Sequence, residues 1–230
     1  MIILPKYEPF HTRVIFYRIP KNASTSVYEH LSIFNVIKEN EPLIIKESDQ
    51  RLYKRWFSPT HLKPDDLKKI IGLKIQDYFS FCIVRNPWDR VVSMFKFAVK
   101  YKLHKLYDLE EEVTFDDFCE MLKKRCDDPF FIATHKQSQW TKGEYPPQKI
   151  LRFENLQAEF SEMIKEINLV TVGSNLPHIN KTNHKHYSHY YNLNTKKIIS
   201  EIFAEDIKNF NYKFEEDLGE KEKITNGLKI

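Results

Sequence analysis

The sequence predicts an α/β fold: a central, mostly parallel sheet flanked by helices in three layers. Three observations carry that reading. The runs Val14-Ile15-Phe16 and Phe79-Ser80-Phe81-Cys82-Ile83-Val84 are short and almost wholly apolar, as buried parallel strands are. Each is followed, after a short turn, by a segment whose apolar positions recur at helical spacing. A third block of the same kind runs from Lys149 to Ile167. Strands that alternate with helices in this way argue for a parallel sheet with helical crossovers.

Taken in order, Val14–Arg18 reads as the first strand. Ser24 or Thr25 is expected to cap a helix that carries Val27, Leu31 and Phe34 on one face. The stretch Glu39 to Arg55 is charged and has no clear period. Pro64-Asp65-Asp66-Leu67 opens a short helix ending near Gly72. After the second strand, Asn86 suits an N-cap and Pro87 suits a first helical turn, where its missing N–H is no loss. That helix reaches about Lys102. Thr114-x-x-Asp117 resembles a capping box at the head of a helix carrying Phe118, Met121 and Leu122. A further helix is predicted from Pro129 to Trp140, and a turn from Gly143 to Pro147. The third strand precedes a helix over Leu156–Ile167. Leu176 to Thr182 reads as a loop, and Tyr187–Tyr191 leads into a long helix through Ile199 and Ile202. Residues after about Phe214 are polar and expected to fray, so 1–214 reads as a single domain and 215–230 as a flexible tail.

Composition narrows the function classes. A chain of 230 residues, 41% hydrophobic, can bury one good core. The formal net charge of +4 comes from 36 basic and 32 acidic side chains that are interspersed, as in Asp65-Asp66 beside Lys68-Lys69. A nucleic-acid binder shows a denser basic stripe, so no nucleic-acid partner is expected. Cys82, Cys119 and Cys126 are odd in number, and Cys119 and Cys126 are too far apart for a C-x-x-C pair; Cys82, inside the apolar strand, reads as a packed thiol, and a reducing compartment is expected. Met1 to Phe10 lacks the apolar core of a signal peptide, and no run is long enough to span a bilayer.

The chemistry concentrates in Arg18-Ile19-Pro20-Lys21-Asn22-Ala23-Ser24-Thr25-Ser26-Val27. An apolar strand leads into Pro-Lys, then small residues, then a helix start. Small residues let backbone approach a ligand, and the first amides of a helix lack intrahelical partners. With the helix dipole and Lys21 they make a site for phosphate or sulfate. The string is no Walker loop: it holds no glycine, and its lysine precedes the small residues instead of following them. A second motif, Arg85-Asn86-Pro87-Trp88-Asp89-Arg90-Val91-Val92-Ser93, follows the second strand. Arg85 then stands at a strand's C-terminal edge, where open α/β sheets bind ligands.

The order Pro-Lys-x-x-x-Thr-Ser resembles the 5′-phosphosulfate loop of the sulfotransferases that use PAPS (3′-phosphoadenosine 5′-phosphosulfate). The fuller string looks most like the carbohydrate sulfotransferases of family 2, including the uronosyl 2-O-sulfotransferases. Arg85 to Ser93 is similar to that family's 3′-phosphate motif, Arg-[Asp/Asn]-Pro-x-x-Arg-x-x-Ser. The progression Lys149-Ile150-Leu151-Arg152-Phe153-Glu154-Asn155-Leu156 through Phe210-Asn211-Tyr212 extends the likeness to about Val14–Tyr212, with Lys100–Gln148 matching least. The resemblance implies a P-loop-like fold and transfer of a sulfuryl group from PAPS, leaving PAP, to an acceptor hydroxyl, expected on a carbohydrate. It implies that Pro20, Lys21, Asn22, Ala23, Ser24, Thr25 and Ser26 bind the 5′-phosphosulfate and that Arg85 and Ser93 bind the 3′-phosphate. Asn180, Lys181 and Thr182 fall where the family closes a loop over the nucleotide. Lys21 is expected to steady the leaving phosphate and His61 to act as base; a histidine near pKa 6.5 suits proton abstraction at neutral pH.

No metal is required if cations and amides surround the phosphosulfate. His184, His186 and His189 lie in a tyrosine-rich loop without a cysteine or carboxylate partner, a weak pattern for a metal. Golgi carbohydrate sulfotransferases carry an N-terminal membrane anchor, and the sequence departs from that. A soluble cytoplasmic enzyme of microbial or viral origin is expected, with a trimmed Golgi-lumen catalytic domain as the alternative. The competing readings are a phosphoryl-transferring kinase of similar topology and a nucleotide-binding module without catalysis. The missing Walker glycines and the lack of an evident magnesium motif weigh against the kinase.

Overall fold

A computed structural model describes residues 2–4, 14–32, 61–66, 76–107, 109–168, 176 and 185–217. The fold is α/β, with an open sheet in the order β1 (Ile2–Leu4), β2 (Val14–Tyr17), β3 (Phe79–Val84) and β4 (Lys149–Arg152). β2, β3 and β4 run parallel; β1 pairs antiparallel with β2. The chain divides into two compact units, one of Met1–Asn86 with Arg125–Lys181 and one of Pro87–Lys124 with Thr182–Ile230.

The first unit holds the sheet with helices α1 (Ser24–Ser32) and, later in the chain, α4 (Leu156–Glu166). Phe16 stands opposite Phe81 in the parallel register, and their rings stack 4.7 Å apart. Val27 and Leu31 of α1, Leu151 of β4, and Phe160, Met163 and Ile164 of α4 complete a core with Val14 and Ile83. Each such side chain contributes about 1.5–3 kcal/mol of burial. The alternate strand residues Ile15, Tyr17, Cys82 and Val84 are also fully buried, which explains why β2 and β3 read as continuous apolar runs. Ser80 sets the start of β4. Its N–H donates to Gln148 Oε1 (3.2 Å), and the Gln148 N–H donates back to Ser80 Oγ (3.3 Å). In the predicted turn, Gly143 has φ +113°, a backbone conformation that strains any other residue, and a Cβ there would also displace the Asp65 carboxylate.

His30 on α1 is 3% exposed and meets Phe160 edge-on, with ring centroids 5.5 Å apart. Burial lowers its pKa below the ordinary 6.5, so the fold favours the neutral ring. A base held neutral gives its full stabilisation above the unfolded pKa of about 6.5, and that contribution fades as pH falls through it. Urea unfolding between pH 7.5 and 5.5 is therefore expected to lose stability more steeply in the wild type than in His30→Phe. Equal slopes would place the acid sensitivity elsewhere.

The second unit is helical: α2 (Pro87–Lys100), α3 (Phe115–Lys124), α5 (Leu193–Ile202) and α6 (Ala204–Asn209). The predicted box heads α3. Asp117 N–H donates to Thr114 Oγ1 (3.2 Å) and Thr114 N–H to Asp117 Oδ2 (3.0 Å). α5 starts on a full capping box between Asn192 and Thr195 and runs through Ile199 and Ile202, where the sequence places it. Phe95 packs on Phe115 and Phe118, and Trp88 on Phe214.

One expectation is corrected, and one strand is new. The helix predicted over Pro129–Trp140 is a pair of 3-10 turns, Ile132–Thr134 and Gln137–Trp140, with His135 and Lys136 extended between them. Side chains compete with the helical ladder here: Thr134 Oγ1 donates to Phe131 O (2.9 Å), and His135 Nε2 bonds Pro129 O (3.0 Å). The strand β1 was not anticipated, since three residues carry too little pattern to read. The end of the helix opened by Pro64, and the tail beyond 217, lie outside the described residues.

Candidate active site

β2 ends at Tyr17, and the chain turns sharply. The Asn22 N–H donates to Ile19 O (3.4 Å), closing a turn with Pro20 at its second position and Lys21, φ +68°, at its third. Proline followed by positive φ is the type II pattern, in which the third position ordinarily goes to glycine. Ala23 is also left-handed, at φ +55°. Two non-glycine residues in this region store about 1–3 kcal/mol each, a cost that clusters at functional sites.

The helix begins at Ser24, and Val27 N–H donates to Ala23 O (3.2 Å). Ala23 therefore occupies the cap position, correcting the expectation that Ser24 or Thr25 would. Its positive φ turns the chain into the helix early and places the three hydroxyls inside the first turn. The amides of Ala23, Ser24, Thr25 and Ser26 have no partner within the helix and face its positive end. Thr25 is exposed, Ser24 and Ser26 are buried, and Lys21 is half-buried. Such an end favours an anion.

Arg85 follows β3. The residue is 6% exposed; its guanidinium donates through Nη1 to Lys21 O (3.0 Å) and lies 4.0 Å over the Phe153 ring. The structure thus brings the arginine of the second motif against the backbone of the first. The next amide, Asn86 N–H, donates to Glu154 Oε1 (2.7 Å).

A residue that sequence reasoning missed lies between them. Gln137, fully buried, accepts at Oε1 from Arg85 N–H (2.9 Å) and donates through Nε2 to Arg85 O (2.8 Å). The same Oε1 accepts from Asn22 Nδ2 (2.6 Å), which also donates to Ile83 O (2.6 Å). The backbone polarity of Arg85 fixes both amide orientations, since an N–H can only donate and a carbonyl can only accept. Asn22 Oδ1 is left without a donor among the described residues. Nothing local in Lys136-Gln137-Ser138 signals this role; its partners are 52 and 115 residues away in sequence.

His61 Nδ1 lies 2.8 Å from Arg18 O. A carbonyl only accepts, so Nδ1 carries the hydrogen and Nε2 is the basic nitrogen of the neutral ring. The His61 carbonyl accepts from Trp140 Nε1 (3.3 Å). Two residues on, burial lowers the pKa of half-buried Lys63 against an opposing pull from Asp66, and its Nζ lies 5.6 Å over the Trp140 ring.

Ser93 is buried on α2 in the second unit. Asn180, Lys181 and Thr182 lie outside the described residues, as do His178 and His184. His186 Nδ1 bonds Ser188 Oγ (2.9 Å), and His189 Nε2 bonds Asp217 Oδ2 (2.9 Å). Among the described residues no group of three or more metal-ligating side chains gathers, and no helix is long and apolar enough to cross a membrane. Trp140 and Trp88 are buried core residues, unavailable for stacking on a sugar.

A largely parallel α/β sheet whose strand β2 runs through a tight turn into an anion-favouring helix start defines a protein of the P-loop-like class. The model of the Sulfotransferase family matches residues 7–213, and the chain belongs to that family; its reaction class is sulfuryl transfer. The structure is similar to mouse sulfotransferase SULT7A1 complexed with PAP, at 17% identity, TM-score 0.53 and 87% coverage of each chain, a likeness of fold. A sulfotransferase from Alicyclobacillus acidocaldarius aligns at 10% identity and TM-score 0.42, over 86% of this chain and 84% of that one. No curated protein sequence matches the chain significantly.

Proposed function

We propose that the protein is a PAPS-dependent sulfotransferase that sulfates a hydroxyl, with carbohydrate as the acceptor class, and that residues 1–214 act as one catalytic domain. The observation that carries this reading is the glycine-free loop Pro20–Ser26, held against Arg85 through Lys21 O. Helix amides, Lys21 and Arg85 form a donor set suited to an anion and short of acceptors, so the residues present fit a phosphosulfate. Pro20, Asn22, Ala23, Ser24, Thr25 and Ser26 would hold its 5′ end with Lys21. Arg85 and Ser93, with Asn180, Lys181 and Thr182, would hold the rest of the nucleotide. PAPS, when bound, supplies an activated sulfuryl group.

The chain's own residues do the remainder. His61 Nε2 takes the acceptor proton, with the ring oriented by Arg18 O. Lys21 steadies negative charge on the departing phosphate, beside the helix amides that favour the same anion. No metal enters this scheme. Carbohydrate as acceptor is supported by the likeness of Arg18–Ser26 to carbohydrate sulfotransferases, and a reducing, cytoplasmic setting by three free cysteines.

Calorimetry of adenosine 3′,5′-bisphosphate against ADP without magnesium tests the reading. A preference of at least tenfold for the bisphosphate is expected. Preference for ADP would favour a kinase. Tight bisphosphate binding without transfer to any hydroxyl would leave a binding module.

A further inference from the structure

Gln137 does something that neither motif assigns. Its side-chain amide brackets both backbone polar groups of Arg85, at 2.9 and 2.8 Å, and holds Asn22 at 2.6 Å. One buried side chain thus ties the end of β3 to the middle of the Pro20–Ser26 loop. Asn22 stands between two left-handed residues, Lys21 and Ala23. Strained backbone of this kind persists only where its surroundings over-determine it. Asn22 spends its NH2 on Ile83 O and Gln137 Oε1, and its own Oδ1 stays buried without a donor among the described residues. An arrangement that leaves one acceptor orphaned to keep two donations is built around the loop's shape.

We propose that Gln137 is a positioning residue for nucleotide binding: it sets the loop and Arg85 in their binding geometry before the ligand arrives. The inference rests on the reading of that loop as the phosphosulfate site. Gln137 touches no ligand atom in this scheme; it acts through Asn22 and Arg85. Preorganisation lowers the ordering cost of binding, so its loss appears in affinity for the nucleotide.

Two variants test it, both followed by calorimetry with adenosine 3′,5′-bisphosphate and by circular dichroism. Gln137→Leu removes the acceptor for Arg85 N–H and Asn22 Nδ2 and the donor to Arg85 O. In the folded variant, Kd for the bisphosphate is expected to rise by about 10- to 100-fold, because the three buried hydrogen bonds that hold the loop and Arg85 are lost. Gln137→Glu keeps the accepting oxygen but sets a second oxygen against Arg85 O. When protonated, that carboxyl donates as the amide did. The ratio of its Kd to the wild-type Kd is therefore expected to narrow as pH falls from 8 to 5.5, a pH-dependent rescue that a space-filling role would not give. If Gln137→Leu fails to fold, the pH series of Gln137→Glu decides. Folded variants with wild-type affinity, or a Glu-to-wild-type ratio that does not move with pH, overturn the proposal. A wild type that does not bind the bisphosphate at all overturns the functional reading instead.

Discussion

Lys21→Ala is expected to lower turnover by about 10²–10³-fold, the loss that follows when one charge-stabilising donor is removed from a reacting centre. The residue has two separable properties. Its ammonium is assigned to the departing phosphate, and its backbone sits at φ +68° with its carbonyl bonded to Arg85. Alanine removes the first and keeps the second. Lys21→Gly removes the charge and also relieves the left-handed strain, so it should be more stable than Lys21→Ala by about 1–2 kcal/mol. Both variants should be equally slow. Lys21→Arg keeps a cation but changes its reach, and an intermediate rate is expected. Steady-state transfer to a carbohydrate acceptor, alongside thermal melts, reads all three. Full activity in Lys21→Ala would remove the lysine from the leaving-group role.

The second large effect is at His61. His61→Ala is expected to slow transfer by about 10²–10⁴-fold, the range for loss of a general base, with bisphosphate affinity unchanged. The ring's tautomer is set by the carbonyl of Arg18, the residue directly after β2, so the proposed base is held at the foot of the Pro20–Ser26 loop. Added imidazole should recover part of the rate in His61→Ala but none in Lys21→Ala. Unchanged turnover would move the base elsewhere, with His178 and His186 next to examine.

What the sequence made readable was local. β2, its loop and α1 are contiguous, and their apolar runs, proline and small residues act over a few positions. The same holds for β3 into α2, for β4 into α4, and for the Thr114–Asp117 cap. Reading failed where side chains, near or distant in sequence, take backbone partners that no periodicity records. Gln137 gave no sign because its meaning lies in Arg85 and Asn22, and the surrounding segment looked helical because its side-chain bonds to Phe131 O and Pro129 O are not written in any period. Ala23 was passed over as a cap because alanine rarely takes that position, and only the observed φ of +55° explains it. The catalytic assignments of Lys21 and His61 came from resemblance. The geometry adds the tautomer of His61 and the contact of Arg85 with the Lys21 carbonyl.

The three cysteines differ sharply in access. Cys82 and Cys119 are fully enclosed, and burial pushes both thiols far above their ordinary range, so neither offers a thiolate to a reagent. Cys126 is half-buried in the turn that Arg125 and Asp128 close at 2.9 Å, shortly before Gln137. A maleimide applied to the folded protein should therefore attach at one place, giving the native sequence a ready-made point for a fluorophore, with no cysteine to delete first.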